Sequence, residues 1–238
     1  HWLQHFGYKG VKVASVNGSL ITDKVLSMTD KILENGLTTS SLSPNLISAE
    51  VYLGAEPIAL ALKEGAHIVV TGRVADPSIF MAPMMHEFGW DPLDAKRLGQ
   101  GMGIGHLLEC GAQVTGGYFS DPGFKDVPDP WNFGFPIAEV ESDGSATLSK
   151  VAGTGGAINL RTVKEQMLYE VHDPANYLTP DVVVDFTTAK IEQVGPDRVR
   201  VSHIGGKQRP PTLKVSIGCT EGFIGEDMFF YAGPGALR

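Results

Sequence analysis

Short apolar runs alternate with segments of helical periodicity through the first half of the chain. Residues 11–16 and 67–72 are rich in β-branched side chains and bounded by glycine, which is typical of fully buried strands. Apolar residues recur at helical spacing in four other segments, which are residues 21–36, 46–64, 76–88 and 98–110. This alternation of helices with apolar strands predicts an α/β region with a parallel sheet over residues 1–120.

The pattern changes near residues 120–136, where Pro, Gly and Asp are crowded and no period is visible. Beyond them, alternating polar and apolar residues predict antiparallel hairpins around Asp143-Gly144 and around Gly195-Pro196-Asp197. Two further strands are predicted at residues 212–219 and 227–235, and one helix is predicted to begin with a capping box of Thr162 and Glu165.

The predicted fold class is therefore α/β, with a parallel-stranded N-terminal α/β layer followed by a mainly antiparallel α+β region. We place the domain boundary at residue 120. Residues 1–120 are predicted to be the C-terminal part of a larger domain, and residues 121–238 form the second region.

Composition narrows the range of partners. The chain has 238 residues and a hydrophobic share of 42%. Its net charge of −8 argues against a nucleic acid or an anionic membrane as a partner. Two cysteines, Cys110 and Cys219, favour a reducing compartment, either the cytoplasm or, in a eukaryote, the mitochondrial matrix. The first residue is His1 rather than Met, and we expect a fragment, a processed chain or an incomplete sequence.

The end of the second predicted strand is the first candidate for chemistry. Parallel sheets bind ligands outside the carboxyl ends of their strands, where Thr71, Gly72 and Arg73 lie. A helix beginning at Asp76 directs unpaired N–H groups to the same place, and Arg73 adds a cation suited to carboxylate or phosphate. The alternatives are structural: Arg73 pairs with a neighbouring acid, and Asp76 caps the helix.

His106 and Glu109 are the candidate catalytic residues. They are three positions apart and so share one face of a predicted helix, as an acid–base pair or as a buried structural pair. No third ligand has suitable spacing, so no metal site is predicted. Cys110 is expected to be a small buried residue rather than a nucleophile.

Two glycine-rich segments are predicted to bind substrate or an anion. They consist of Thr115, Gly116 and Gly117 after a strand-like segment, and of Gly153, Thr154, Gly155 and Gly156 between a strand and a helix. The second segment lacks the P-loop pattern, so we interpret it as a glycine-lined anion nest. Turns that need a positive φ explain the glycines equally well.

Five ordered blocks of the sequence resemble the acyclic terpene utilisation family. They are YLGAEPIALALKEGAHIVVTGRVADPS, GHLLECGAQVTGGYFSDPGFKDV, GFPIAEVESDGSATLSKVAGTGG, TVKEQMLYEVHDPANYLTPDV and GPDRVRVS. Family members also carry a preceding segment with a GFYGDR-like stretch, which nothing in this sequence matches, and they continue beyond the YAGPGA near its end.

The resemblance implies a place in the bacterial breakdown of citronellol and geraniol through coenzyme A thioesters. We therefore expect an enzyme acting on a branched acyl-CoA or carboxylate by hydration, lyase chemistry or isomerisation, with no cofactor and a coenzyme A thioester as candidate substrate. The alternative is a non-catalytic subunit that binds or positions partners in an acyl-CoA-processing complex.

We also expect partners besides a small-molecule substrate. Self-association is predicted, with the glycine-rich helix at residues 98–110 and the apolar segment MFFYAG as interface elements. The absent N-terminal segment or another subunit of a pathway complex is a further candidate.

The strand-to-helix junction generates a prediction about Arg73. The interpretation requires Arg73 and His106 to lie across one pocket, within roughly 10 Å. Replacing Arg73 with Lys keeps the charge but loses the planar fork, so ligand binding should weaken by more than about tenfold with little loss of stability. Calorimetric titration with a carboxylate or phosphate ligand, alongside thermal unfolding, measures both. An unchanged affinity would leave Arg73 with a structural role.

Overall fold

A computed structural model describes residues 2–42 and 45–232. The helices in these residues are α1 (Trp2–His5), α2 (Thr22–Val25), α3 (Glu56–Lys63), α4 (Asp76–Phe88), α5 (Ala95–Leu108) and α6 (Leu160–Leu168). Short 3₁₀ turns lie at Thr39–Leu42, Gly111–Gln113, Pro130–Asn132 and Phe186–Thr188. Within this part of the chain, no helix combines the length and the apolar character that crossing a membrane requires.

The strands of the same residues form four small sheets. They are β1 (Val13–Val16), β2 (Leu46–Val51), β3 (Ile68–Thr71), β4 (Pro136–Val140), β5 (Ala146–Lys150), β6 (Tyr177–Leu178), β7 (Val183–Asp185), β8 (Lys190–Gly195), β9 (Arg198–Ser202), β10 (Gly205–Lys207) and β11 (Val215–Cys219). The strand orders are β1-β3, β11-β2, β10-β7-β6 and β4-β5-β9-β8.

The chain forms two compact units. The larger contains His1–Leu20 and Glu50–Ser216, and it holds the hydrophobic core and every candidate site residue. The smaller contains Ile21–Ala49 and Ile217–Arg238. The boundary placed near residue 120 falls inside the larger unit, and a division into domains at that point stays a prediction.

β1 and β3 form the predicted parallel pair, with Val13 opposite Ile68. One face of this sheet packs on the core through Val16, whereas Val13, Ile68 and Val70 on the other face are 54%, 40% and 56% exposed. The expectation that residues 11–16 and 67–72 form fully buried strands is therefore wrong. Full burial needs a layer on each face of a parallel sheet, and in the described residues only one face of this sheet is packed on the core.

The second half of the chain is antiparallel, as predicted. The hairpins around Asp143-Gly144 and Gly195-Pro196-Asp197 are both present, as β4–β5 and β8–β9. Gly144 and Asp197 have φ values of 87° and 50° at these turns, in the left-handed region that tight hairpin turns use. With helices and mixed sheets in this order, the predicted α/β fold class is confirmed.

The helix predicted over residues 21–36 is reduced to α2. The hydroxyl of Thr39 donates to the carbonyl of Met28, and its N–H donates to the carbonyl of Asp30. These carbonyls are therefore not bonded in a helical ladder, and the chain turns back instead.

Residues 46–64 form a strand and a helix rather than one helix. The first six are β2, which pairs with β11. α3 begins only at Glu56, with Pro57 in its first turn. A proline is tolerated there because the first N–H groups of a helix have no partner within the helix. The carboxylate of Asp181 accepts the N–H of Ala55 at 2.9 Å and so caps the start of this helix.

Three smaller predictions are also corrected. Residues 111–113 form a 3₁₀ turn rather than a strand. α6 begins before Thr162, because the side chain of Asn159 accepts the first free amides in a capping box with Thr162. No strand forms at residues 227–232, while residues 233–235 lie outside the described part.

α5 is buried along most of its length and carries glycine on two opposite sides. A Cβ added at Gly99 would lie 2.4 Å from the carbonyl oxygen of Gly205 in β10, and one added at Gly105 would lie 2.5 Å from that of Pro77 in α4. The glycines therefore allow tight packing on both sides. Because α5 is buried in this way, the segment at residues 98–110 is not exposed for self-association.

The glycine contact with α4 generates a prediction about stability. Gly105→Ala is expected to lower the free energy of unfolding by about 1–3 kcal/mol, because the backbone of Pro77 cannot move aside as a flexible side chain would. Gly195→Ala in β8 is the control, since a Cβ there meets nothing closer than 3.8 Å. Urea unfolding measures both variants, and equal effects would contradict the close-packing explanation.

Candidate active site

An apolar cleft of about 780 Å³ opens between α4, the end of α5 and β4, a volume typical of small-molecule sites. Three segments line it: Ile79, Phe80, Pro83 and Met84 of α4; Leu108, Glu109, Cys110 and Gly111 at the end of α5; and Phe135, Pro136, Ala138 and Val140 at β4. Among these lining residues, only Glu109 and Cys110 are ionisable.

The residues of α4 and β4 that line the cleft each lie on one face of their element. The four α4 residues form two pairs one turn apart, and the three β4 residues alternate along the strand, so each set shares one face. After α5 the chain turns at Gly111, whose φ is 56°. A Cβ there would lie 2.6 Å from the ring of Phe135, so glycine lets the chain turn beside that ring.

Glu109 brings the predicted acid–base pair to this cleft. His106 Nδ1 lies 2.9 Å from Glu109 Oε1, within hydrogen-bond distance. The His106 side chain is 1% exposed and that of Glu109 is 10% exposed. The imidazole packs against the rings of Tyr177 and Phe186, at centroid distances of 5.3 and 5.6 Å. Burial and aromatic contacts hold the imidazole in one orientation toward Glu109.

Several buried polar atoms around this pair have no hydrogen-bond partner among the described residues. They include His106 Nε2, Glu109 Oε2, Gln113 Nε2 and Gln166 Oε1. The other end of the Gln166 side chain is engaged, since its Nε2 donates to the carbonyl of His106 at 3.3 Å. Buried polar groups normally bind protein, water or ligand, so these atoms are free to bind water or a polar ligand group.

Burial raises the pKa of Glu109 above its ordinary value. The hydrogen bond and the charge of His106 act in the opposite direction. The negative charges of Asp76 and Glu170 raise the pKa further. Glu109 therefore retains its proton to a higher pH than an exposed glutamate does, as suits a residue that transfers protons near neutral pH.

The thiol of Cys110 lines the cleft without being activated. Burial raises its pKa, and the charge of Glu109 raises it further. Reactive thiols have lowered pKa values instead. The thiol is thus suited to packing rather than to nucleophilic attack, as expected, although it is half-buried rather than fully enclosed.

The junction of β3 and α4 lies against α5 but does not line the cleft. Pro77 contacts Gly105, while the guanidinium of Arg73 lies 3.5 Å from the carboxylate of Asp76, with side chains 40% and 60% exposed. This ion pair is the structural alternative considered for Arg73. The capping alternative for Asp76 is wrong, because Ala75 occupies the N-cap and Asp76 is the first helical residue, with no side-chain cap.

The backbone amides of the same junction are engaged within the protein. The N–H of Gly72 donates to the carbonyl of Val16, and the N–H of Arg73 donates to the hydroxyl of Ser19. Thr71 is the last, half-buried residue of β3. These bonds leave few donors for an anion, and the anion-binding role of the junction stays a prediction.

The two glycine-rich segments pack against each other. The N–H of Ala157 donates to the carbonyl of Thr115, and a Cβ added at Gly156 would lie 2.4 Å from that oxygen. Four more amides donate to backbone carbonyls: Gly116 to Gln113, Gly117 to Ala112, Gly155 to Asn132 and Gly156 to Pro128.

Backbone conformation accounts for the glycines at the ends of the second segment. Gly153 and Gly156 have φ values of 74° and 79°, and the hydroxyl of Thr154 donates to the carbonyl of Val151. These contacts favour the conformational explanation, while anion binding by Gly153, Thr154, Gly155 and Gly156 stays a prediction.

Comparison with known proteins identifies the family. The model of the family described as "Acyclic terpene utilisation family protein AtuA" matches residues 1–238, the whole chain. The chain belongs to the acyclic terpene utilisation family. Comparison with curated proteins and with solved structures finds no match. Membership of the AtuA family confirms the resemblance and implies a role in acyclic terpene utilisation.

Two parts of this candidate site in the AtuA-family chain were not predicted from the sequence. One is the β4 wall, although the alternation that predicted its hairpin also marks Pro136, Ala138 and Val140 as one face. The other is the aromatic packing of His106 on Tyr177 and Phe186, which no local pattern indicates because the contacts join distant segments.

The buried carboxyl of Glu109 generates a prediction about pH. A carboxyl with a raised folded-state pKa destabilises the fold increasingly as pH rises above the ordinary glutamate value of about 4.3. Glu109→Gln should therefore gain stability relative to the original protein as the pH rises from about 4.3 through the raised pKa of Glu109. Thermal unfolding measures this, with Glu87→Gln on the exposed side of α4 as control. A stability difference that does not change with pH would contradict the raised pKa.

Proposed function

We propose that this protein binds a branched acyclic acyl group in the cleft, and that Glu109 transfers a proton to or from it in a reaction of the hydratase, lyase or isomerase type. The observation that carries the proposal is the buried His106–Glu109 pair at the wall of an otherwise apolar cleft. Membership of a family named for acyclic terpene utilisation supports the choice of ligand, because acyclic terpenoids are branched hydrocarbon chains.

Hydratase, lyase and isomerase reactions need a proton-transfer group, and a carboxyl positioned by an imidazole can serve as one. Adding water to an activated double bond, or moving that bond, requires proton transfer at a carbon near a carbonyl group. Glu109 is the candidate acid or base, because it lines the cleft and burial raises its pKa. His106 is a positioning residue in this proposal, since it shares a hydrogen bond with Glu109 from behind.

The apolar walls suit the hydrocarbon part of the ligand. Side chains such as Phe80, Met84 and Val140 offer surface on which methyl branches pack, and each buried Å² of apolar surface contributes about 25 cal/mol. A coenzyme A thioester and a free acid are both candidates at this stage, since the same hydrocarbon chain occurs in each.

A non-catalytic binding subunit is the second candidate. The observation that favours it is the enclosure of the pair: the His106 ring is 1% exposed, and Glu109 Oε2 is buried. A pair enclosed in this way can hold the end of α5 in place while the cleft binds an acyl group without turnover.

Steady-state kinetics on the purified protein tests the proposal. Geranic and citronellic acids and their coenzyme A thioesters are the substrates to assay. Glu109→Gln is expected to lower kcat by about a hundredfold or more with KM changed only a few-fold, because general acid–base catalysis contributes at least that much. Glu87→Gln on α4 is the matched control and should retain full activity.

Two results would reject the catalytic role. Unchanged kcat in Glu109→Gln would remove Glu109 from the reaction. Binding of these compounds without turnover by the unaltered protein would favour the binding subunit.

A further inference from the structure

We infer that the cleft selects an uncharged acyl carbonyl, such as that of a thioester, over the carboxylate of the same acid. This inference rests on the proposed function for the position of the hydrocarbon chain. It adds the chemical state of the head group, which the resemblance to the family leaves open between a thioester and a free carboxylate.

The composition of the cleft walls disfavours a charged head group. None of the described residues that line the cleft is Lys, Arg or His, and Glu109 is the one carboxyl among them. A carboxylate that enters this cleft loses its hydration without gaining a cation. Burial of an unpaired charge costs far more free energy than burial of a neutral carbonyl.

The charges around Glu109 disfavour an anion as well. The groups that act on it are His106 from its own helix, Asp76 from the start of α4 and Glu170 from the segment after α6. Tyr177 of β6 packs on His106, and burial raises its pKa, so its phenol is neutral at ordinary pH. Asp76 is paired with Arg73, so the charge that most disfavours a further anion beside Glu109 is that of Glu170.

Arg73 does not reverse this balance. Its guanidinium lies 3.5 Å from Asp76 and 5.2 Å from the ring centroid of Tyr52. It does not line the cleft, and its charge is matched by the partner carboxylate.

The one carboxyl of the cleft lining is suited to a neutral ligand group as well. Burial raises the pKa of Glu109, so this carboxyl retains its proton, and with it a hydrogen-bond donor, to a higher pH than an exposed glutamate does. A neutral carbonyl oxygen needs a donor and no counter-ion, so this environment suits a thioester carbonyl better than a carboxylate.

Equilibrium binding of matched ligands tests the inference without relying on turnover. Geranate and geranamide have the same hydrocarbon chain and nearly the same size, and differ in charge; the N-acetylcysteamine thioester of geranic acid is the third ligand. Calorimetric titration near pH 8 is expected to give geranamide and the thioester more than about tenfold tighter binding than geranate.

Each other outcome has a definite meaning. Binding of geranate as tight as that of geranamide would overturn this inference and leave the acyl cleft of the proposed function intact. No binding of any of the three ligands would overturn both.

A substitution at the rim of the cleft provides an independent check. Ile79 lines the cleft and is 47% exposed, so a charged residue is tolerated there without burial. Ile79→Lys is expected to raise the affinity for geranate relative to geranamide by several-fold, whereas Ile79→Gln, the neutral control, leaves this ratio unchanged. An unchanged ratio in Ile79→Lys, in a protein with the same circular dichroism, would contradict the charge argument.

Discussion

The close approach of α5 to the backbone on two sides is the constraint on which the larger unit depends. Gly99 and Gly103 face β10 and the side chains of Ile204 and Phe186, while Gly101 and Gly105 face Trp90, Met81 and the start of α4. Positions two apart on a helix point in nearly opposite directions. The alternating glycines therefore allow α5 to pack tightly between α4 and the three-stranded sheet.

This packing explains why the candidate site lies at the end of α5. Up to Gly105 the helix contacts its neighbours closely through glycine, apolar side chains and Gln100, whose Oε1 accepts the N–H of Ile204. The His106–Glu109 pair follows in the last turn, and beyond it the chain turns at Gly111 beside the cleft. Burying such a pair adds little to stability, and its position at a cleft favours a functional reason for it.

The parts of this structure that the sequence predicts are those decided by contacts between residues close together in the chain. Local signals succeeded: the bounds of α4, the two hairpins and the parallel pairing of β1 with β3 were predicted from periodicity and turn residues. Local signals failed where a distant group decided the outcome. Thr39 binds the carbonyls that would have extended α2, and β11 converts residues 46–51 from a helical pattern to a strand.

The site was predictable to the same extent. Helical spacing alone placed His106 and Glu109 together. The cleft required β4 to pack near α4, which no local pattern indicates. Glycine was the most ambiguous signal, because the same residue type serves an anion nest, a left-handed turn and a close helix contact. Hydrogen bonds of the amides at Gly155 and Gly156 distinguish these roles, and a sequence does not record them.

The carboxylate of Asp181 has a consequence for the order in which the chain matures. It accepts the N–H of Ala55 at 2.9 Å and the hydroxyl of Ser78 at 2.8 Å, so it joins the starts of α3 and α4. Asp181 is 126 residues after Ala55, a distance that a ribosome covers in roughly 6–25 s. The start of α3 lacks this acceptor throughout that interval, and the start of α4 lacks it while the 103 residues after Ser78 are made. Chaperones that hold partly folded chains therefore have seconds in which to engage this protein before α3 and α4 are secured.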